Sequence, residues 1–457
     1  MKDLTRGNPL KIIAIFSIPL LIGNLFQQFY TLSDTLIVGR FLGVNALAAV
    51  GSTNSLTFLI IGFAQGATSG LAIKTAQLFG ARDYKGVRKS FATSLVISLA
   101  ISIVMTTLSV VFCREILQLM QTPPEIIDQA YDFLIIIFAG FSVSIGYNLL
   151  ANILRALGDS RTPLIFLVVA VVINVLIDIV LIAFMHVGTV AAGIATVSAQ
   201  GISMILCIMY IRKSVPYLQL RKEDFKITKQ DLKEHLRLGL PMGFQSSIIA
   251  IGSVILQLML NTLGPQSIAA YTAAGKIDQV ATLPAMSFGI AMATFVAQNL
   301  GARQYGRIIK GVKQILLLSV GISIVLGGLI ILFGRPLVNL FVGNDQPAVT
   351  GLAQQYFYVV SSMYWLLSTL FVIRYTLQGL GKSLIPTIAG VFELAMRAFA
   401  GLVLVANFHF IGACLANPLA WLGSLIVLIP SYLATMKHLR ERDKISVKNE
   451  ELAAENN

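Results

Sequence analysis

The chain has 457 residues, of which 56% are hydrophobic and only 12% charged, and its mean hydropathy is +0.80. That balance excludes a soluble enzyme or DNA-binding domain and fits an all-α polytopic membrane protein. A net charge of +13 would suggest nucleic acid in a soluble chain, so the placement of the 34 Lys and Arg matters more than their number.

Apolar runs near the bilayer-spanning length of about 20 residues recur from Lys11 to Met436, and about twelve spans fit. All but seven of the Lys and Arg fall in the two tails and in alternate loops, which the positive-inside rule places in the cytoplasm together with both termini. The opposite loops carry only Arg40, Arg114 and Arg335, while Lys74, Lys276, Arg374 and Arg397 lie within spans. The first apolar stretch runs on past Val38 with no small-residue cleavage site, so it stays as a span of a plasma-membrane protein.

Within this first span Asn24, Gln27, Gln28, Thr31, Asp34 and Thr35 recur at steps of three and four, on one helical face. A charged Asp at mid-helix costs roughly 2.5 to 3.5 kcal/mol facing lipid, so this face is expected against water or protein. Pro19, about four turns before Asp34, could let the span bend. Gly62, Gly66 and Gly70 form a small-residue face for close helix packing on the second span. Asn174 and Asp178 share a face of the fifth span, and with Asp34 and Thr196 they reach a common depth, roughly 6 to 12 Å below the outer surface. Oxygen ligands suit a hard cation such as Na+, and two carboxylates in one desolvated place equally suit a proton; the spacing does not choose between them.

The basic stretch from Arg212 to Arg237 is a connector, and the half of the chain beyond it repeats the half before it. AQLFGARDY at Ala76 to Tyr84 returns as AQNLGARQY at Ala297 to Tyr305; LRALGDSRTP at Leu154 to Pro163 returns as LQGLGKSLIP at Leu377 to Pro386; Pro19 is matched by Pro241. The expected organisation is a six-helix lobe over 1–211, a connector over 212–237, a second six-helix lobe over 238–439 and a cytoplasmic tail over 440–457. An even number of spans per repeat relates the lobes by a pseudo-two-fold axis along the membrane normal, a geometry suited to alternating access. A channel or scaffold is the competing use of such a duplication.

The second half does not repeat the acids, since Arg397 stands at the place of Asn174 and Gly401 at that of Asp178. Its intramembrane charges are Lys276, Asp278, Glu393 and Arg397, the last two spaced as an intrahelical ion pair that would hold the bundle together. Lys276 or Asp278 could instead line a central cleft. The charged tail from Lys437 is expected to be solvated and disordered. Cys113, Cys207 and Cys414 are scattered as packing residues, and the four His show no metal-ligand spacing. HExxH, GxSxG, paired CxxC and a complete phosphate loop are absent, so this is not an enzyme, no organic cofactor is expected, and energy must come from an ion gradient.

Pro19, Asp34, the duplicated AQxxGAR loops, Asn174 and Asp178 make the chain resemble the multidrug and toxic compound extrusion (MATE) family from about Leu10 to Leu439. The resemblance implies an H+- or Na+-coupled antiporter that expels small organic, often cationic and amphipathic, compounds, for which a monomer suffices. It implies a cation site at Asp34, Asn174, Asp178 and Thr196, with Gln27 and Tyr30 on the same first-helix face and Pro19 as the bending residue. The acids that one branch carries in its seventh and tenth helices are missing here. Related two-lobed folds also suggest a flippase for a lipid-linked saccharide or other lipid, although a diphosphate would favour clustered Arg and Lys.

Overall fold

The computed structural model describes residues 3–343 and 345–455, and every regular element among them is helical. Lys2 and residues 456–457 of the expected cytoplasmic tails lie outside the described residues. Helices are what the composition demands, because hydrocarbon offers no partner to an unpaired N–H or C=O. Packing separates the chain into two compact units, one of Ile22–Ser247 and one of Asp3–Leu21 with Ile248 onward.

The first unit holds most of α1 (Pro9–Leu42), then α2 (Val44–Gly80), α3 (Tyr84–Val111) and the short α4 (Cys113–Leu119). Next come α5 (Ile127–Ala139) and α6 (Phe141–Ala156), bent by 48° into one broken span, and α7 (Arg161–Asp178), prolonged by a π turn over Ile179–Phe184. After these lie α8 (Thr189–Ser214) and the opening of α9 (Lys229–Leu260). The second unit takes the start of α1, the rest of α9, α10 (Pro265–Ala281), α11 (Leu283–Gly301), α12 (Tyr305–Val342) and α13 (Pro347–Val360). It ends with α14 (Tyr364–Gly379), α15 (Leu384–Phe399), a second π turn over Ala400–Leu404, and α16 (Val405–Glu455). Among the described residues ten helical stretches are long and apolar enough to cross a membrane, and the bent α5–α6 pair adds an eleventh. The stretch Leu384–Ser446 runs for 63 residues and breaks at His409 (φ 50°, ψ −126°), so it holds two crossings and brings the total to twelve.

The repeated motifs are helix ends. In the first copy, the Arg82 N–H reaches Phe79 O at 3.0 Å and the Asp83 N–H reaches Leu78 O at 3.0 Å; in the second, Arg303 reaches Leu300 O at 3.1 Å and Gln304 reaches Asn299 O at 2.9 Å. Both arginines are left-handed, with φ of 59° and 57°, as this C-terminal cap requires. Gly158 and Gly381 play the same part in the second motif, with φ of 83° and 81°.

Close packing in the first unit rests on the glycine face of α2. A Cβ at Gly66 would lie 2.3 Å from Met242 O, and one at Gly70 would lie 2.5 Å from Leu238 O, so α9 meets α2 backbone to backbone. The connector is fastened here too: Arg88 pairs with Asp224 (3.4 Å), Lys89 with Asp231 (2.7 Å) and Lys74 with Glu234 (2.7 Å). His235 Nδ1 lies 2.7 Å from Asp231 O and its Nε2 lies 2.8 Å from Ser90 Oγ, which makes Nε2 the acceptor for the hydroxyl.

In the second unit the chain's beginning is held by α11 and α12. The Leu4 N–H donates to Gln298 Oε1 at 3.0 Å, and Arg307 donates to Gly7 O at 2.6 Å and to Leu4 O at 3.2 Å. Pro19, buried within an unbroken α1, leaves the Ile15 carbonyl without its helical donor two residues before the boundary between units. The charged tail differs from the expectation of disorder, since α16 continues through it to Glu455. Asp443 Oδ1 accepts the Gly306 N–H at 2.7 Å, capping the first turn of α12, so an already nucleated helix gains an anchor.

Replacing Gly70 with Ala forces the α2–α9 contact apart and should destabilise the purified protein by about 1 to 3 kcal/mol. Gly51→Ala, on the same helix with open space around its Cα, should leave the thermal midpoint unchanged or raised. Equal midpoints for the two variants would contradict this packing.

Candidate functional site

Asp34 stands in the later part of α1, Asn174 and Asp178 in the last turn and a half of α7, and Thr196 two turns into α8, all in the first unit. The fold brings these four together. Asn174 and Asp178 are fully buried, and Asp34 is half-buried. With its amide nitrogen facing the acceptor, Asn174 donates to Asp178 Oδ2 at 3.2 Å and accepts from the Thr196 N–H at 3.2 Å. The Asp34 and Asp178 carboxyl groups lie within hydrogen-bonding reach of each other. Tyr30, one turn before Asp34, donates its hydroxyl to Thr196 Oγ1 at 2.7 Å and so closes the ring of side chains.

Two features make the cluster chemically incomplete. Asp34 Oδ1 and Asp178 Oδ1 are buried with no hydrogen-bond partner, although buried oxygens are ordinarily satisfied. Two adjoining carboxylates in a low-dielectric setting cannot both stay charged without a proton or cation between them. The neighbouring oxygens of Asn174, Thr196 and Tyr30 match a hard cation. No group of three or more His, Cys, Asp or Glu suited to a metal occurs among the described residues.

The π turn begins directly after Asp178. A π turn holds one more residue per turn than the α-helix and leaves main-chain carbonyls off the regular ladder, and such turns gather at functional sites. Its counterpart over Ala400–Leu404 spans Gly401, so the repeat keeps the backbone feature without the acid. The sequence carried no signal for either turn.

The other expected residues divide. Gln27 is exposed outside the cluster, and Thr31 and Thr35 direct their hydroxyls to their own helix, onto Gln27 O and Thr31 O. Lys276 is exposed, whereas Asp278 turns towards the phenols of Tyr356 and Tyr364. The expected ion pair of Glu393 with Arg397 is corrected: Glu393 is paired with Arg374 of α14, which also donates to Ser424 Oγ at 3.0 Å. Arg397 instead donates to Ile249 O at 3.2 Å. An interhelical partner buried with Glu393 serves it better than one stacked a turn away, and Arg374 had been visible in the sequence only as an unassigned charge within a span.

With duplicated six-helix halves, twelve crossings and a buried acid pair on record, the class is that of a polytopic membrane transporter rather than an enzyme. The MatE family model matches residues 19–180 and again 241–403, and the chain belongs to the MatE family. Among curated relatives, the probable multidrug resistance protein YoeA of Bacillus subtilis is 28% identical over 434 residues, 92% of each chain. The probable multidrug resistance protein YpnP of the same organism is 28% identical over 384 residues, covering 84% of this chain and 85% of its own. Among solved structures, an outward-facing conformation of a multidrug resistance MATE family transporter matches with a TM-score of 0.89 at 23% identity, over 96% of this chain and 98% of that one.

The buried pair yields a stability test. Arg374→Leu strands Glu393 and should cost about 3 to 5 kcal/mol, while Arg374→Leu with Glu393→Leu should recover much of it. Thermal unfolding in detergent measures both, and a double variant as unstable as the single would refute the pairing.

Proposed function

We propose that the protein is a cation-coupled antiporter of the plasma membrane, with both termini cytoplasmic, exporting small organic, often cationic and amphipathic, compounds by alternating access. The observation that carries this reading is the meeting of Asp34 and Asp178 beside Asn174, Tyr30 and Thr196. An H+ or Na+ entering there neutralises the excess negative charge, and a conformation that binds the cation better becomes the favoured one. Coupling is reciprocal, so a cation that weakens substrate binding is itself weakened by substrate to the same factor. The multidrug names of the relatives support the substrate class.

The lipid-flippase alternative gains nothing from those relatives. Two of the basic residues within the spans are also committed elsewhere, Arg374 to Glu393 and Arg397 to a backbone carbonyl, which leaves them unavailable to a diphosphate.

Uptake of a fluorescent organic cation by inside-out vesicles, under separately imposed H+ and Na+ gradients, tests the proposal. Wild type should respond to a gradient, and Asp34→Asn and Asp178→Asn should each abolish the response while the protein still folds. Gradient-driven uptake at the wild-type rate in both variants would sink it. Tyr30→Phe removes one hydrogen bond, worth about 1 kcal/mol, and should weaken the cation dependence by about fivefold without abolishing transport.

A further inference from the structure

One face of α16 changes character at a single point. Ile426, Ile429 and Leu433 follow one another at steps of three and four and are exposed, Leu433 at 60%, which makes them a lipid-facing stripe. Lys437, Arg440 and Lys444 continue that face at the same spacing and are exposed as well. On α12 the order is mirrored: Lys310 and Lys313 are exposed, and Leu317, at 66%, and Ile324 follow them on one face. The hydrogen bond between Asp443 and Gly306 puts the two changes in register. Lys437 stands six residues before Asp443 and Lys313 seven after Gly306, about 9 Å and about 10 Å along neighbouring helices. The cations of both helices thus begin at one level, where hydrocarbon gives way to phosphate, and their long stems can reach back to it.

None of these five cations forms an ion pair among the described residues. Acids of the same region are engaged elsewhere: Asp443 accepts the Gly306 N–H, Glu441 lies 3.9 Å from His438, and Asp3, the acid before α1, lies 3.5 Å from Arg6. The first unit treats the equivalent place differently. Lys89 and Lys310 each stand five residues after the tyrosine that opens their helix, Tyr84 or Tyr305, and Lys89 is paired with Asp231 at 2.7 Å. Lys310 holds the same place in the repeat without a carboxylate. A ligand that completes this region must supply negative charge at the level of the cations and apolar surface along the stripes beside them. Free phosphate meets only the first requirement, whereas a phospholipid meets both.

We propose that Lys310, Lys313, Lys437, Arg440 and Lys444 bind the phosphodiester of an anionic phospholipid whose acyl chains lie along the apolar stripes of α12 and α16. The headgroup takes the part that the carboxylate of Asp231 plays for Lys89 in the first unit. The site requires only that the chain spans a membrane, and it is independent of the coupling ion and of the exported compound.

Native mass spectrometry of the full chain in detergent, titrated with dioleoyl phosphatidylglycerol or zwitterionic dioleoyl phosphatidylcholine, reads the bound lipid directly. Wild type should bind phosphatidylglycerol in preference, and Lys313→Gln/Lys437→Gln/Arg440→Gln should weaken that binding by about tenfold or more. Lys222→Gln/Lys226→Gln/Lys229→Gln, which removes the same charge from exposed residues of the connector, should leave it unchanged. Glycerol phosphate should not displace the lipid, because it lacks the acyl chains. Thermal midpoints without added lipid certify the fold of each variant. Equal loss in the two triple variants would reduce the effect to net charge and overturn the proposal. Equal retention of the two lipids, or displacement by glycerol phosphate, would overturn it as well.

Discussion

An ionised group inside a hydrocarbon-facing bundle must be neutralised where it stands, and the arrangement of polar side chains in this protein derives from that constraint. The second unit shows charge matched by charge: Glu393 is paired with Arg374, whose guanidinium also donates to Ser424 Oγ while its Nε is left without a partner. Such a pair is balanced in charge without any ion from solvent. At Asp34 and Asp178 the balance is left open: two acids, no cationic partner, and only neutral donors and acceptors around them. The difference between matched and unmatched charge separates groups that hold the fold from groups whose charge the fold leaves unbalanced.

The backbone reinforces this contrast. An α-helix satisfies its own main chain, so regular helix is the default in lipid and each departure needs a local reason. Several departures here are paired across the two halves: Gly43 with Gly264, Arg82 with Arg303, Gly158 with Gly381 and His186 with His409, all at positive φ, together with the two π turns. The duplicated architecture therefore extends to single dihedral angles. Non-glycine residues tolerate φ near 55° poorly, so their recurrence at matched places marks turns that the chain trace requires.

What the sequence made legible depended on short-range physics. Helical spacing put Asn174 beside Asp178, and depth along straight helices put Asp34 and Thr196 near them, because 1.5 Å per residue leaves little freedom in a span. The AQxxGAR repeats were visible because a helix cap needs specific residues at fixed offsets. The Glu393 partner was not legible, since spacing of four residues favoured Arg397 while three-dimensional packing offered Arg374 from another helix. The tail was misjudged for a similar reason: composition suggested disorder, but a helix already running through the last span extends at little cost once Asp443 docks on α12.

The connector illustrates how a division by sequence and one by packing can part company. Three of its four acids pair with Lys74, Arg88 and Lys89, which ties it and the opening of α9 to the first unit. Correspondingly, Asp3–Leu21 packs within the second unit through Gln298 and Arg307. Each of α1 and α9 thus carries residues of both units, and each carries a proline, Pro19 or Pro241, within seven residues of the place where membership changes. A missing N–H at that point weakens the i to i−4 ladder locally while leaving the rest of the helix intact. In α1 the weakened turn lies on the N-terminal side of Tyr30 and Asp34 on the same helix, about three turns before the first and about four before the second, whose charge is left unbalanced.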